Sequence, residues 1–247
     1  MISKSGAKRT IAFIRGDIKI VLRDPILLLV SIVPIFLVFV VRFIVPAANI
    51  FIRKHIEFDL SAHYSFITGY FSLLTPLMFG MIAGFILLDE RDEHILAYIS
   101  VTPVTKKGYI FYRLSVPVLI GFFFSFIMFA FSGLCKFHFA ETIPLAVLIA
   151  LEAPIMTLFL AVFAGNKVEG LALSKVMNIL TLAPFIGYIF NSNWTLIAGI
   201  SPPYWIVMAY LEIGKSQLLF WSYIFAGLIS HLVVIAVLMR MFVKKDG

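Results

Sequence analysis

Residues 64–88 read YSFITGYFSLLTPLMFGMIAGFILL and contain no Asp, Glu, Lys or Arg. A helix of roughly 20 apolar residues crosses about 30 Å of hydrocarbon, so this stretch is long enough to span a membrane. Five other stretches qualify in the same way. The six predicted spans cover residues 26–45, 64–88, 114–134, 143–164, 176–190 and 218–243.

The composition of the whole chain agrees with a membrane protein. Of its 247 residues, 62% are hydrophobic and 13% are charged, and the mean hydropathy is +1.04. Soluble domains average about 45–50% apolar and about 25% charged residues, so a soluble, a disordered and a collagen-like chain are all excluded. The single Cys excludes a disulfide framework. We therefore expect an all-α integral membrane protein with one transmembrane domain, residues 1–247, and six transmembrane helices.

Two segments depart from a simple span. The fifth predicted span, 176–190, is short for a full crossing unless Lys175 and Asn191 lie among the headgroups. Residues 194–213 are moderately apolar but contain two prolines and Glu212. Irregular backbone at membrane depth is stable only where protein or water covers it, so we expect a re-entrant segment on the outer side before the last span.

The distribution of basic residues predicts the orientation. With both termini in the cytoplasm, fifteen Lys and Arg residues lie on the cytoplasmic side and four on the other, with Arg42 inside the first span. Cytoplasmic loops carry such an excess of positive charge. The basic residues are scattered over loops and form no continuous face for nucleic acid. We expect a multi-pass protein of the bacterial cell membrane with no nucleic-acid partner.

Residues 8–24 are predicted to form an amphipathic helix that lies in the membrane interface. Four apolar residues recur at spacings of 3, 4 and 3 and share one helical face: Ile11, Ile14, Ile18 and Val21. Arg9, Arg15 and Lys19 lie around them, toward anionic lipid. The alternative is an ordinary basic anchor that only sets the topology.

The loop 89–113 reads DERDEHILAYISVTPVTKKGYIFYR and opens with four acids in five residues. Acids are unexpected here, because the helix dipole and the positive-inside trend both favour cations at this end of a span. A short amphipathic stretch follows, and Thr102-Pro103 ends it, since the residue before Pro disfavours helical backbone. Such a helix suits the docking of a soluble partner, and the alternative is a solvated loop with random charges.

These features occur in a recognisable order: Arg23-Asp24-Pro25, a span, a second span, the acidic run, Thr102-Pro103, Arg113 and a third span. In this order, over essentially its whole length, the chain resembles the membrane subunit of ABC transporters of the type-2 exporter class. The acidic run and its surroundings look most like permeases for fluoroquinolone-type drugs. The size and layout are also similar to those of exporters of amphipathic peptide toxins.

The resemblance implies a coupling helix at residues 90–101 that docks in a cleft of a separate cytosolic ATPase, which binds ATP and Mg. The residues that match the family pattern, or lie within it, are Glu90, Asp92, Glu93, Leu96, Thr102 and Pro103. The chain departs from the pattern at His94, where many members have Gly. The resemblance also implies pairing with a second permease copy or a paralogue, and a hydrophobic or amphipathic substrate.

Motifs for chemistry in the chain itself are missing from the sequence. There is no Walker A phosphate-binding loop, so ATP would have to be bound by a separate subunit. There is no HExxH and no GxSxG motif, and the five His are dispersed. We expect no catalytic residue, no metal site and no cofactor in this chain.

Two ionisable residues fall near the middle of predicted spans, Glu152 in the fourth and His231 in the sixth. A charge at the bilayer centre costs a few kcal/mol, so such groups mark a pathway or form a structural hydrogen bond, and both readings stay open. Pro184 kinks the fifth span, which suits a gated pathway. We name Glu152, His231 and Pro184 as candidate pathway residues.

Two other functions stay open at this stage. The first is a proton-coupled secondary transporter that uses Glu152 and His231 as a relay. That class usually shows internal repeats, and the acidic loop after the second span has no counterpart after the fifth. The second is a non-transporting membrane scaffold or immunity protein.

Overall fold

The computed structural model describes residues 4–95, 106–134, 138–190 and 194–246. Throughout these ranges the regular structure is helical. The α-helices run Lys4–Arg23, Pro25–Phe39, Val45–His55, Tyr64–Asp92, Lys106–Ser132, Phe139–Ala150, Glu152–Phe163, Lys167–Leu180, Ala183–Ile189, Trp194–Ala198, Pro202–Leu211 and Gln217–Asp246. A π-helical turn, Val40–Ile44, joins the second helix to the third, and a 3-10 turn, Leu60–His63, precedes the fourth.

Six helical stretches within the described ranges are long and apolar enough to cross a membrane. Spans 1 to 6 are Pro25–His55, Leu60–Asp92, Gly108–Ser132, Phe139–Phe163, Lys167–Ile189 and Gln217–Lys245. The prediction of an all-α membrane protein with six spans is confirmed.

Spans 1 and 5 extend furthest beyond the apolar stretches in the sequence. Span 1 continues past residue 45 to His55, because Pro46 falls in the first turn of the helix that follows the π-turn, where proline is tolerated. Span 5 begins at Lys167 rather than at 176. The side chain of Asn166 accepts a hydrogen bond from the Glu169 amide at 3.0 Å and caps this helix, whose first turns are too polar for a hydropathy count to detect.

Spans 2 and 4 form the core of the bundle. The buried share of their apolar stretches is 72% and 83%, against 22% to 33% for the other four spans. Their backbones meet at Gly80, where a Cβ would lie 2.4 Å from the carbonyl oxygen of Ala153. The Thr157 hydroxyl donates to the Gly80 carbonyl at 2.9 Å. Small residues permit this close approach of helices in membranes, so Gly80 fixes the crossing of spans 2 and 4.

Both ends of the chain lie on the same side of the bundle, which we call the terminal face; the opposite side is the distal face. Lys245, in the last helix, donates to the Val162 carbonyl at the end of span 4. Lys167, at the start of span 5, pairs with Asp24 at the start of span 1. The six spans therefore alternate in direction between the two faces.

The N-terminal helix, Lys4–Arg23, ends at Asp24, whose carboxylate accepts from the amides of Ile26 and Leu27 and so caps span 1. Of its predicted apolar face, Ile11, Ile14 and Ile18 are 38–52% exposed, as for a surface that faces lipid. Ile14, Ile18 and Val21 line a cavity of about 310 Å³ between this helix and spans 2 and 3.

Residues 194–211 form two short helices, Trp194–Ala198 and Pro202–Leu211, in place of a seventh span. The second packs against spans 2 and 6 and buries Tyr204, Ile206 and Val207. The bend between the two helices is held by the Trp205 indole, which donates to the Gly199 carbonyl at 2.8 Å. Protein therefore covers much of this irregular backbone, as a re-entrant segment requires, and its depth in the membrane stays a prediction.

Candidate functional site

A buried ion cluster joins three segments at the terminal face. Arg113, near the start of span 3, donates to Glu90 at the end of span 2 and, at 2.7 Å, to Asp17 of the N-terminal helix. The Tyr109 hydroxyl donates to Glu90, and the Tyr112 hydroxyl donates to Asp17 at 2.7 Å. We call these five residues the Arg113 cluster. Because Arg113 is only 4% exposed, the cluster is part of the folded core and ties both ends of the 89–113 loop to the N-terminal helix.

A lysine bridge lies at the same face. Lys167 donates to Asp24 and, at 2.9 Å, to Asp89, and so joins the starts of spans 5 and 1 to the end of span 2. The hydrogen bond from the Lys167 ammonium, with those from the Leu27 and Ile26 amides, holds the pKa of Asp24 below its usual range. The N-cap of span 1 therefore carries a charged carboxylate at neutral pH, as a helix N-terminus favours.

The C-terminal end of span 4 is capped by two basic side chains. Arg91 donates to the carbonyls of Ala161 and Ala164, and Lys245 donates to those of Val162, at 2.7 Å, and Ala164. The last carbonyls of a helix have no partner inside it and carry a partial negative charge, so cations stabilise them. Spans 2, 4 and 6 are joined at this point.

The acidic run that the sequence singled out divides into two halves. Asp89 and Glu90 point into the protein and pair with Lys167 and Arg113, whereas Asp92 and Glu93 are exposed. The Glu90 carboxylate is buried and bonded within the chain, behind the exposed pair of acids, and its role at the ATPase contact stays a prediction. Leu96, Thr102 and Pro103, with most of the predicted coupling helix, lie outside the described residues.

The helix of span 2 ends next to this exposed pair of acids. The His94 amide donates to the Arg91 carbonyl at 3.0 Å, and the φ angle of His94 is +57°. Glycine adopts this left-handed backbone without the steric cost that a side chain brings. His94 occupies the position at which the resemblance leads us to expect Gly, so the local backbone keeps a glycine-like conformation despite the change of residue.

Two of the three predicted pathway residues meet inside the bundle. Glu152 and His231 are fully buried, and Oε1 of Glu152 lies 3.2 Å from Nε2 of His231. Span 4 is interrupted at Leu151, so Glu152 begins its second helix. The contact joins the middle of span 4 to the middle of span 6.

Hydrogen-bond chemistry fixes the net charge of this pair. Nδ1 of His231 lies 2.7 Å from the Gly227 carbonyl, which can only accept, so Nδ1 carries a proton. A hydrogen bond between Nε2 and the carboxyl group needs one more proton, on either side. The pair is therefore a neutral imidazole with a protonated Glu152, or an imidazolium with a carboxylate. Its net charge is zero in both forms, so its burial at membrane depth costs less free energy than the burial of a single charge.

Pro184, the third predicted pathway residue, is buried in the first turn of Ala183–Ile189, just after span 5 is interrupted at Thr181 and Leu182. A cavity of about 470 Å³ opens at this interruption. Its lining comes from spans 2, 4 and 5 and includes Tyr70, Met78, Met81, Met156, Asn178 and Thr181. The interruption that the proline accompanies thus borders a groove that is open on the side of the exposed residues Ile179 and Leu182.

Sequence reasoning missed the connectivity of the terminal face. Asp17 and Arg113 are 96 positions apart, and Lys167 and Asp24 are 143 positions apart, so no short-range sequence pattern indicates these pairs. A partial signal was available: Tyr109, Tyr112 and Arg113 lie at i, i+3 and i+4 and therefore share one helical face.

Comparison with known proteins places the chain in a family. Residues 17–239 match the family described as Rv2686c-like, fluoroquinolones export permease protein Rv2686c-like. The chain is 28% identical, over 248 residues, to the fluoroquinolones export permease proteins Rv2686c and MT2760 of Mycobacterium tuberculosis, strains H37Rv and CDC 1551. These alignments cover 99% of this chain and 98% of each relative. No solved structure matches the chain.

The matched range contains all five residues of the Arg113 cluster and both residues of the Glu152–His231 pair. The names of these relatives, together with the six spans, agree with a transport subunit in the membrane. The chain belongs to the Rv2686c-like family of export permeases.

Proposed function

We propose that this chain is the membrane-spanning subunit of an ATP-driven exporter and that a separate ATPase docks at its terminal face. The observation that carries the proposal is the match of residues 17–239 to a family of export permeases. In this proposal the terminal face is cytoplasmic, in agreement with the excess of Lys and Arg on that side. The ATPase supplies the ATP and Mg site, since this sequence has no Walker A loop.

The exposed acids Asp92 and Glu93, with the segment that follows them, are the proposed contact for the ATPase. They lie next to buried connections that can carry a displacement into the bundle. A pull on the loop acts on span 2 through Glu90, on span 3 through Arg113 and on the N-terminal helix through Asp17. Because the Arg113 cluster is buried and held by several hydrogen bonds, its residues move together and transmit motion without breaking these bonds.

The proposed substrate is a drug-like amphiphile of the fluoroquinolone class, the class in the names of the relatives. The cavity at the span 5 interruption supports this choice, since it is mostly apolar with a few polar groups such as Asn178 and Thr181. The three methionines in its lining are flexible and adapt to ligands of different shape. A second permease copy or a paralogue completes the transporter in this proposal.

A proton-coupled transporter is the second candidate, because Glu152 and His231 meet inside the membrane region. Two facts favour a structural role for the pair instead. Both side chains are 0% exposed, so neither has direct access to water, and the pair is net neutral in either protonation form. A relay would have to open this contact and lose its charge balance in each cycle.

Docking can be tested by charge reversal on the two faces. Affinity-tagged permease, purified from its native membranes, should carry an ATPase that mass spectrometry identifies and that hydrolyses ATP. Glu93→Lys should reduce the recovered ATPase at least fivefold, while Glu57→Lys, the same change at an exposed position on the distal face, should leave it unchanged. Recovery at the wild-type level with Glu93→Lys would contradict docking through the acidic end of span 2.

A further inference from the structure

Arg42 is a cation within span 1 that the mechanism proposed above does not use. At 1.5 Å per residue it lies about 25 Å along the helix from Pro25, close to the distal boundary of a hydrocarbon layer of about 30 Å. In the described part of the chain its guanidinium has no hydrogen bond and no ion pair. Arg53, on the same helical stretch, pairs with Asp59 at 3.8 Å. An intramembrane charge without a partner marks a functional site by default.

The side chain of Arg42 opens into an apolar groove. A cavity of about 700 Å³ lies between spans 1 and 3 and is lined by Arg42 with apolar side chains that include Phe39, Phe43, Phe124, Ile127 and Phe131. Phe39, Phe43 and Phe131 are more than half exposed, so the groove is open toward the membrane. One cation at the end of a groove of this kind fits a molecule with an anionic head and an apolar body.

The backbone around Arg42 is shaped to place its guanidinium. Arg42 lies in the π-helical turn Val40–Ile44, a rare element that recurs at functional sites. Its guanidinium lies against Gly133, where a Cβ would come within 1.8 Å of Nη1, and the φ angle of Gly133 is +63°. Any other residue at 133 would therefore move the arginine. The helix of span 3 ends at Ser132, and the negative end of its dipole favours the Arg42 cation at this place. This interaction leaves the N–H groups of Arg42 available to a ligand.

We propose that this groove binds an anionic phospholipid from the distal leaflet. The phosphate accepts hydrogen bonds from Arg42, and an acyl chain lies along the phenylalanines of spans 1 and 3. The planar guanidinium matches two phosphate oxygens at once. Headgroup phosphates lie just beyond the hydrocarbon boundary, which is the depth that Arg42 reaches. The site goes beyond the proposed export function and does not depend on it.

Native mass spectrometry of the purified full-length permease tests the proposal. The wild-type protein, titrated separately with dioleoylphosphatidylglycerol and dioleoylphosphatidylcholine, should bind the anionic lipid about tenfold more tightly. Arg42→Gln should abolish this preference and leave phosphatidylcholine binding unchanged. Arg53→Gln, the matched change at an exposed arginine on the same helix, should keep it. An undiminished preference in Arg42→Gln would overturn the proposal.

A second variant covers the case in which Arg42→Gln does not fold. Gly133→Ala keeps the charge but displaces the guanidinium, so it should also reduce the preference for phosphatidylglycerol. Preserved preference in this variant would contradict the proposed geometry. Sodium 2-naphthoate, a soluble aromatic acid, serves as competitor. If it displaces phosphatidylglycerol at equal concentration, the groove is a site for aromatic carboxylates, and the lipid assignment is wrong.

Discussion

Glu90 and Glu152 are both buried carboxyl groups that face a basic side chain, but their surroundings differ. Glu90 bonds to Arg113 and Tyr109, and Arg113 also holds Asp17 of the N-terminal helix. Glu152 meets His231 between two spans, and in both carboxyl groups the Oε2 atom has no hydrogen-bond partner in the described ranges. Arginine cannot lose its proton in a protein, whereas a Glu–His pair can exist as two neutral groups. The first contact therefore requires a charged group, and the second does not require one.

We infer from this difference that the Arg113 cluster transmits motion from the ATPase, whereas the Glu152–His231 pair holds two spans together. The Arg113 cluster joins three segments at one face and lies beside the exposed acids where we propose that an ATPase docks. The Glu152–His231 pair joins the middles of spans 4 and 6, far along the chain from that loop. We therefore expect changes in the first to affect stability and coupling together, and conservative changes in the second to affect neither strongly.

Loss of Arg113 should have the largest effect on stability. Arg113→Met leaves Glu90 buried beside no cation and releases Asp17, so we expect a loss of about 3–5 kcal/mol in the free energy of unfolding. Thermal unfolding of the detergent-purified protein measures it. Arg53→Met removes an exposed pair and should cost less than about 1 kcal/mol.

The double variant Glu90→Gln, Arg113→Met gives the internal control for this prediction. Removing both charges should recover part of the loss, because the cost arises from an unpaired buried carboxylate. If Arg113→Met and Arg53→Met lower the unfolding temperature equally, the cluster is not the structural unit described above.

Substitutions in the Glu152–His231 pair should lower the free energy of unfolding by less than the loss of Arg113, and by an amount that depends on the residue introduced. His231→Ala removes the hydrogen-bond partner of Glu152, and we expect a loss of about 1–3 kcal/mol. Glu152→Gln keeps the shape and can donate to Nε2 of His231, so it should cost less than about 1 kcal/mol. The same unfolding assay compares them. An equal, large loss in both variants would mean that the pair is an imidazolium–carboxylate ion pair instead of a neutral hydrogen bond.

The smallest expected effect is a gain in stability at the end of span 2. His94→Gly removes a side chain from a left-handed residue, and we expect a gain of about 1 kcal/mol in unfolding free energy. His55→Gly, at the helical end of span 1, should instead lose up to about 1 kcal/mol. A loss at both positions would show that His94 makes contacts that outweigh its backbone strain.

Much of this architecture can be predicted from hydropathy alone. Glu152 and His231 could be singled out because a charge inside an apolar stretch is conspicuous. The start of span 5 could not be predicted in this way, because Glu169 and Lys175 lie in its first turns and lower the local hydropathy. The orientation of Glu90 could not be predicted from the sequence either, because neighbouring acids look alike there. Only the packing of span 3 against span 2 decides which acid contacts Arg113.

Transport by Glu152→Gln most directly tests whether ATP or a proton gradient drives this permease. Inside-out membrane vesicles that contain the permease with its ATPase are supplied from outside with ATP and a fluoroquinolone, with and without a protonophore. Our account predicts that ATP-dependent uptake persists in the Glu152→Gln variant at most of the wild-type rate, and that the protonophore does not abolish it. Uptake that stops when the proton gradient collapses, or with this substitution in a protein that remains folded, would contradict the account and favour a proton-coupled transporter.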